Sequence, residues 1–195
     1  MKKSKIVLIV CIVVLVAFLA LSAKVIDKGT EGEYTGVVAF DAGASSSDDW
    51  GSVVSEITEK AQDIAGLDIA AIGPGTAVAL KGTVSEYVSK ANGKKNSITV
   101  APEGYEGDAV FSVQLGSIYS GTDVRDAQTV KGFADFTNQT EWSQYAKALN
   151  SQLDELVVAP LAIDESIQGK TVSVIGAASA SGNEVMITPV SITIE

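Results

Sequence analysis

Apolar residues run without a break from Ile6 to Leu21, directly after Lys2, Lys3 and Lys5. Beyond Lys24 the apolar positions become periodic. Trp50, Val53, Val54, Ile57, Ala61 and Ile64 recur at helical spacing. Ser46 to Asp49 reads as a capping box opening that helix, Asp48 and Asp49 suit the positive end of its dipole, and Gly66 suits its stop. The stretch Asp41 to Ser47 is small and polar and reads as the end of a linker. After the turn at Ile72 to Gly75 the period becomes that of strands.

Thr76 to Ser89 is long and β-branched, with Gly82 at a position that suits a bulge or a barrel corner. Asn92-Gly93 predicts a tight turn into a second strand, Ser97 to Ala101. In the third, Ala109 to Leu115, the residues Phe111, Val113 and Leu115 form one apolar face against Val110, Ser112 and Gln114. Asn138 with Glu141 predicts a second capped helix over 139–158. It carries Trp142, Tyr145, Ala146, Leu149, Leu153 and Leu156 at helical spacing and is limited by Pro160. Lys170 to Ala177 and Glu184 to Ile194 then predict a hairpin across Ser181-Gly182-Asn183, with Pro189 marking an edge or bulge.

The order β-β-β-α-β-β predicts a mainly β fold with helices (α+β). It is an OB-fold-like five-stranded barrel with a helix between strands three and four. The helix over 139–158 is expected to plug one end, and the N-terminal helix to pack outside. A two-sheet antiparallel sandwich with two helices is the rival with the same strand count.

The N-terminal pattern sets the address. Lysines before an apolar run of this length read as a secretory signal or an N-terminal membrane anchor, with the rest of the chain outside the cytoplasm. A peptidase site after Ala20-Leu21-Ser22 fits the small-x-small rule better than one after Ala23. The length of the run favours a retained single-pass helix over a cleaved signal. The expected organisation is a signal or anchor over 1–23, a linker over 24–46 and one domain over 47–195.

Charge and composition narrow the chemistry. Without the three N-terminal lysines the chain carries 11 basic residues against 24 acidic, a net charge of −13. Such a surface repels phosphate backbones, so no nucleic-acid partner is expected. Histidine is absent and the single cysteine, Cys11, lies inside the apolar run. Zinc sites, Cys–His nucleophiles and Ser-His-Asp triads are thereby excluded from the exported part, and no metal or cofactor is expected. Asp41, Asp48 and Asp49 lack the spacing and the bidentate glutamate of a calcium loop. Trp50 and Trp142 sit among aliphatic residues at helical spacing and are read as core, although both tryptophans and Tyr145 have the alternative of stacking platforms.

One block carries a resemblance. Gly121-Thr122, Arg125-Asp126, Phe136-Thr-Asn-Gln139, Ala148-Leu-Asn150 and the closing Ile187-Thr188-Pro189-Val190, with Phe40-Asp41 and Trp50 further upstream, resemble the predicted periplasmic lipoproteins catalogued as domain of unknown function 2291. The resemblance implies an exported, OB-like accessory protein, often encoded near sugar-type ABC transporters, with no established catalytic activity. Ala23 stands where that family carries its lipobox cysteine, so a retained helix takes the place of lipid attachment as anchor.

Within the block, Thr122, Arg125, Asp126, Asn138 and Gln139 form a candidate ligand or partner site at the barrel mouth. A guanidinium fork and two side-chain amides suit sugar hydroxyls or a peptide backbone. The alternative is that Arg125 and Asp126 tie a loop to the barrel while Asn138 caps a helix. Two function classes follow: a non-enzymatic envelope accessory protein, which is favoured, and a carboxylate-based hydrolase acting on glycans. The candidate acids for the second are Asp126, Asp135 and Glu141.

Overall fold

The computed structural model describes residues 39–195. The signal or anchor over 1–23 and the linker up to residue 38 lie outside the described residues. Among the described residues no helix is long and apolar enough to cross a membrane.

Helix α1 runs Ala42–Lys60, four residues ahead of the predicted capping box. Its cap is Asp41, whose carboxylate accepts the Ala44 amide at 3.0 Å. Ser46 is a fully buried helical residue whose hydroxyl donates back to the Gly43 carbonyl. Alanine and serine tolerate a helix, so an acceptor at Asp41 outcompeted the later cap and residues 42–46 are not linker. The helix stops at Lys60 rather than Gly66, because Ala61 turns extended and leads into the short strand β1, Gln62–Asp63. Ile64 is still buried, carried inward by a 3₁₀ turn, Ile64–Gly66.

Five strands close the barrel: β2 Thr76–Val88, β3 Asn96–Pro102, β4 Val110–Leu115, β5 Thr171–Ser181 and β6 Glu184–Ile194. The hydrogen-bonded order is β2-β3-β4-β6-β5, and β5 returns to β2. Every barrel pairing is antiparallel except β4 with β6. A parallel pair needs a long crossover, and residues 116–183, which include β5, supply it. The closed sheet excludes the sandwich.

Gly82 is the corner that the sequence predicts. The first half of β2 pairs with β5 and the second with β3, and Gly82 pairs with both Val172 and Pro102. Pro189 lies beyond Ile187, where β6 has lost its β4 partner, and Val190 beside it is skipped in the β5 register. A residue without an N–H is harmless there.

Within the crossover, a short helix α2 spans Asp123–Asp126 and helix α3 spans Gln139–Leu153. The predicted helix over 139–158 is shorter by one turn. From Asp154 the backbone widens into a π turn, Asp154–Val158, and then a 3₁₀ turn containing Pro160. Proline has no N–H to continue the ladder, and its ring crowds the preceding turn. The barrel core is Val78, Leu80, Ile98, Phe111, Val113, Val174 and Ile187 with their neighbours. Tyr145, Leu149 and Leu153 bury the inner face of α3, and Val53 and Ile57 that of α1. Helix α1 contacts β2, β5 and β6 as well as α3, so it belongs to the packed helical layer and is more than an outside extension.

Candidate functional site

The loop from β4 to α3 carries most of the polar chemistry, and its anchoring begins at Gln114. This side chain is 7% exposed at the end of β4. Its Nε2 donates to Thr188 Oγ1 at 2.7 Å and to the Ser120 carbonyl at 3.1 Å, while Oε1 accepts the Ser120 amide at 2.7 Å. The alternation Val110, Ser112, Gln114 points to a solvent face, but the loop folds back over it and consumes the amide. Thr188, on β6, is 1% exposed.

Helix α2 follows, against α3, β5 and β6. Asp123 is 6% exposed, accepts from Ser179 Oγ at 3.2 Å and receives the Gly75 amide. Burial raises its pKa above the ordinary aspartate value, with the nearby Asp126 charge adding to it; the bonds from Ser179 and Gly75 oppose the rise without cancelling it. Gly75 has φ +78°, and a Cβ there would lie 2.6 Å from the Asp126 carbonyl carbon, so glycine is what lets β2 begin against α2.

Thr122, Arg125 and Asp126 come together. Arg125 donates from Nε and Nη2 to Asp126 Oδ1 at 2.8 and 2.7 Å, and Nη2 also reaches Thr122 Oγ1 at 3.1 Å. The Thr122 hydroxyl donates to Asp126 Oδ2 at 2.6 Å. The guanidinium lies 4.4 Å from the Trp142 ring centre. This is a self-satisfied cluster packed against helix α3. Asn138 and Gln139 are apart from it in role. Asn138 Oδ1 accepts the Thr140 and Glu141 amides, capping α3, and Gln139 is exposed in the first turn.

The hydrolase candidates are also engaged. Asp126 is held as above, Asp135 accepts the Gly132 amide at 2.8 Å and Glu141 accepts the Thr137 amide at 2.8 Å. Trp142 is half-buried, packed between Arg125 and the rings of Phe133, Phe136 and Tyr145, while Trp50 is half-buried on α1. Neither tryptophan is full core. Val53, Ile57 and Tyr145 occupy the interior positions of the same stripes.

Residues that sequence reasoning passed over complete the tie to α1. Gln128, 6% exposed, donates to the Arg125 and Lys131 carbonyls and accepts the Lys131 amide. Lys131 reaches Asp49 at 2.8 Å and Ser45 at 2.6 Å, and the Tyr145 hydroxyl donates to Asp49 at 2.9 Å. Burial, with the Asp49 carboxylate beside it, raises the Tyr145 pKa. Glu56 accepts the Thr129 amide and hydroxyl and pairs with Lys60. The bonds of Gln128 are local, but those that tie the loop and α3 to α1 join partners 73 to 96 residues apart.

Glu56 provides a pH test. Partial burial pushes its pKa upward, but the bonds from Lys60 and Thr129 prevail and hold it at about 2, against an ordinary 4.5. A folded-state value below the unfolded one contributes stability above pH 4.5 that is lost as pH falls toward 2. The thermal midpoint of Glu56→Gln is therefore expected to lie below wild type at pH 7, with the gap narrowing as pH falls below 4.5 and closing only as pH falls to about 2.

Arg125→Ala is expected to lower stability by about 1–3 kcal/mol, since it strips Asp126 of its ion pair and uncovers Trp142. Arg125→Lys retains the charge but not the fork and recovers only part of the loss. Chemical denaturation measures both, and an unchanged midpoint for Arg125→Ala would refute the brace.

No group of three or more acidic or cysteine side chains comes together as a metal site among the described residues. Three clefts on the described surface lie apart from the five candidate residues. Two of these are bordered by Lys81, Ser173 and Thr193 and by Asp68 and Asn183.

Strand order, closure and the helical crossover together define an OB-fold domain. An OB-fold protein from Thermotoga maritima, 15% identical, superposes with a TM-score of 0.55 over 80% of this chain and 99% of that one, a likeness that shows the fold alone. The OBody AM1L10 bound to hen egg-white lysozyme is 21% identical over 65% of this chain and 89% of its own, at a TM-score of 0.33. No curated protein matches the chain. The model of the predicted periplasmic lipoproteins, domain of unknown function 2291, matches residues 70–193, and the chain belongs to that family. The description of the family agrees with the extracytoplasmic address read from the N-terminal lysines and apolar run.

Proposed function

We propose that the protein is a non-enzymatic accessory domain of the cell envelope, held at the membrane by its N-terminal apolar segment and working through contacts with other proteins. The observation that carries this reading is the state of the polar block. Arg125, Asp126, Thr122, Asn138, Asp135 and Glu141 spend their hydrogen bonds on one another and on the backbone. Side chains so engaged hold a surface in shape and are poorly placed for acid–base chemistry, which needs a carboxyl free to exchange its proton. The family resemblance makes a sugar-type ABC transporter assembly the first partner to look for. Residues 24–195 face the outside in this reading, with residues 1–23 as a single-pass anchor.

Crosslinking of the full chain in native membranes, followed by mass spectrometry, tests it. Crosslinks from the domain to a transporter subunit or another envelope protein are expected. A chain that is digested only after spheroplasts are lysed, or that crosslinks to nothing but itself, would overturn the reading.

A further inference from the structure

The β2–β3 turn is chemically unlike the rest of this acidic chain. Lys90, Lys94 and Lys95 fall within six residues, three of the 11 basic residues that follow the N-terminal apolar segment. Residues Ser89 to Lys95 are all exposed. Among the described residues the ion pairs engage Lys60, Lys81, Arg125 and Lys131, and none of these three. No acidic residue occurs from Tyr87 to Pro102 or from Ala109 to Thr122, the two segments that build this end of the barrel. In sequence the nearest carboxylate to the turn is Glu86, four residues before Lys90, and Asp154 is engaged by the Tyr119 hydroxyl at 3.2 Å.

The turn is also held rigidly against an exposed apolar side chain. Ala91, Asn92 and Gly93 have φ of 52°, 55° and 81°, and Lys95 donates its amide to the Lys90 carbonyl at 3.1 Å. The Lys94 carbonyl accepts the Ile118 amide at 2.9 Å, fixing Ile118, 43% exposed, beside the lysines. Non-glycine residues in the left-handed region mark a turn whose shape is over-determined by its surroundings.

We infer that this turn, with Ile118, is a docking surface for an anionic phospholipid bilayer, an inference that rests on the envelope reading above. Lysines around one apolar side chain match a bilayer interface, where headgroup charge and acyl boundary lie within a few ångströms of each other. Apart from these three lysines the exported part carries 8 basic residues against 24 acidic, a charge of −16 that is screened beyond about 8 Å at physiological salt, so it orients the domain with the lysine turn toward the lipid without preventing approach. Three lysines at an anionic surface favour the docked orientation about 100-fold at low salt.

The test places the full chain in nanodiscs of phosphatidylcholine alone and of phosphatidylcholine with phosphatidylglycerol, and follows amide hydrogen exchange. Exchange over 91–95 and 116–119 is expected to slow by about tenfold or more in the anionic discs, to recover at high salt, and to be unaffected by lipid in Lys90→Glu/Lys94→Glu/Lys95→Glu. Equal exchange in both discs, with the chain anchored in each, overturns the inference and leaves the anchored reading standing. A chain that leaves both discs fails the anchored reading instead, and its flotation with phosphatidylglycerol vesicles then decides the turn alone. Crosslinks from the lysines to an acidic protein, without lipid protection, assign the surface to a protein partner and refute the lipid.

Discussion

Gly82→Ala is expected to cost about 3 kcal/mol or more, a fall of about 10 °C in the thermal midpoint of a domain this size. A Cβ at this position would sit 2.2 Å from the Ala101 carbonyl oxygen and 2.8 Å from Pro102 Cα. Both are backbone atoms of the neighbouring strand, so no rotamer change relieves the overlap, and β3 itself must move. Because Gly82 pairs with β3 and β5 at once, that movement strains the barrel closure on both sides. Gly66→Ala is the control, since a Cβ there meets nothing within 4 Å and its change should stay within about 0.5 kcal/mol. Equal midpoints for the two variants would show that the corner does not depend on close backbone approach.

Gln114→Ala is expected to cost about 2–4 kcal/mol. The substitution leaves the Thr188 hydroxyl without its partner and removes both bonds to Ser120. Thr188 is 1% exposed, so water cannot replace the amide without opening the barrel wall. Thr188→Val should cost less, about 1 kcal/mol, since Gln114 keeps its two bonds to the loop. Hydrogen exchange separates this effect from a general loss of stability: the Ser120 amide should exchange faster in Gln114→Ala than in a variant equally destabilised elsewhere. If Ser120 is protected as in wild type, the loop is held by something other than Gln114.

Much of the fold is legible in the sequence because its signals are local. The alternation of Phe111, Val113 and Leu115, the break at Gly82, the turn at Asn92-Gly93 and the cap at Asn138 each depend on residues a few positions apart. From these follow the five barrel strands, the helix between the third and fourth, and the OB order. The address also follows from a local pattern, three lysines before an apolar run.

Other features were decided by contacts between distant segments. Two nearby acceptors compete to cap α1, and the burial of Ser46 within the helical layer goes with the earlier one, Asp41. Pro160 marks the end of α3 but not the π turn that precedes it. Gln114 reads as a surface residue until the loop at Ser120 covers it. Arg125 and Asp126 are adjacent in sequence, but whether they face a ligand or each other depends on Trp142, on α3, lying beneath the guanidinium. A side chain's polarity is written in the sequence. Whether its hydrogen bonds remain available depends on which distant groups the fold brings within 3 Å of it.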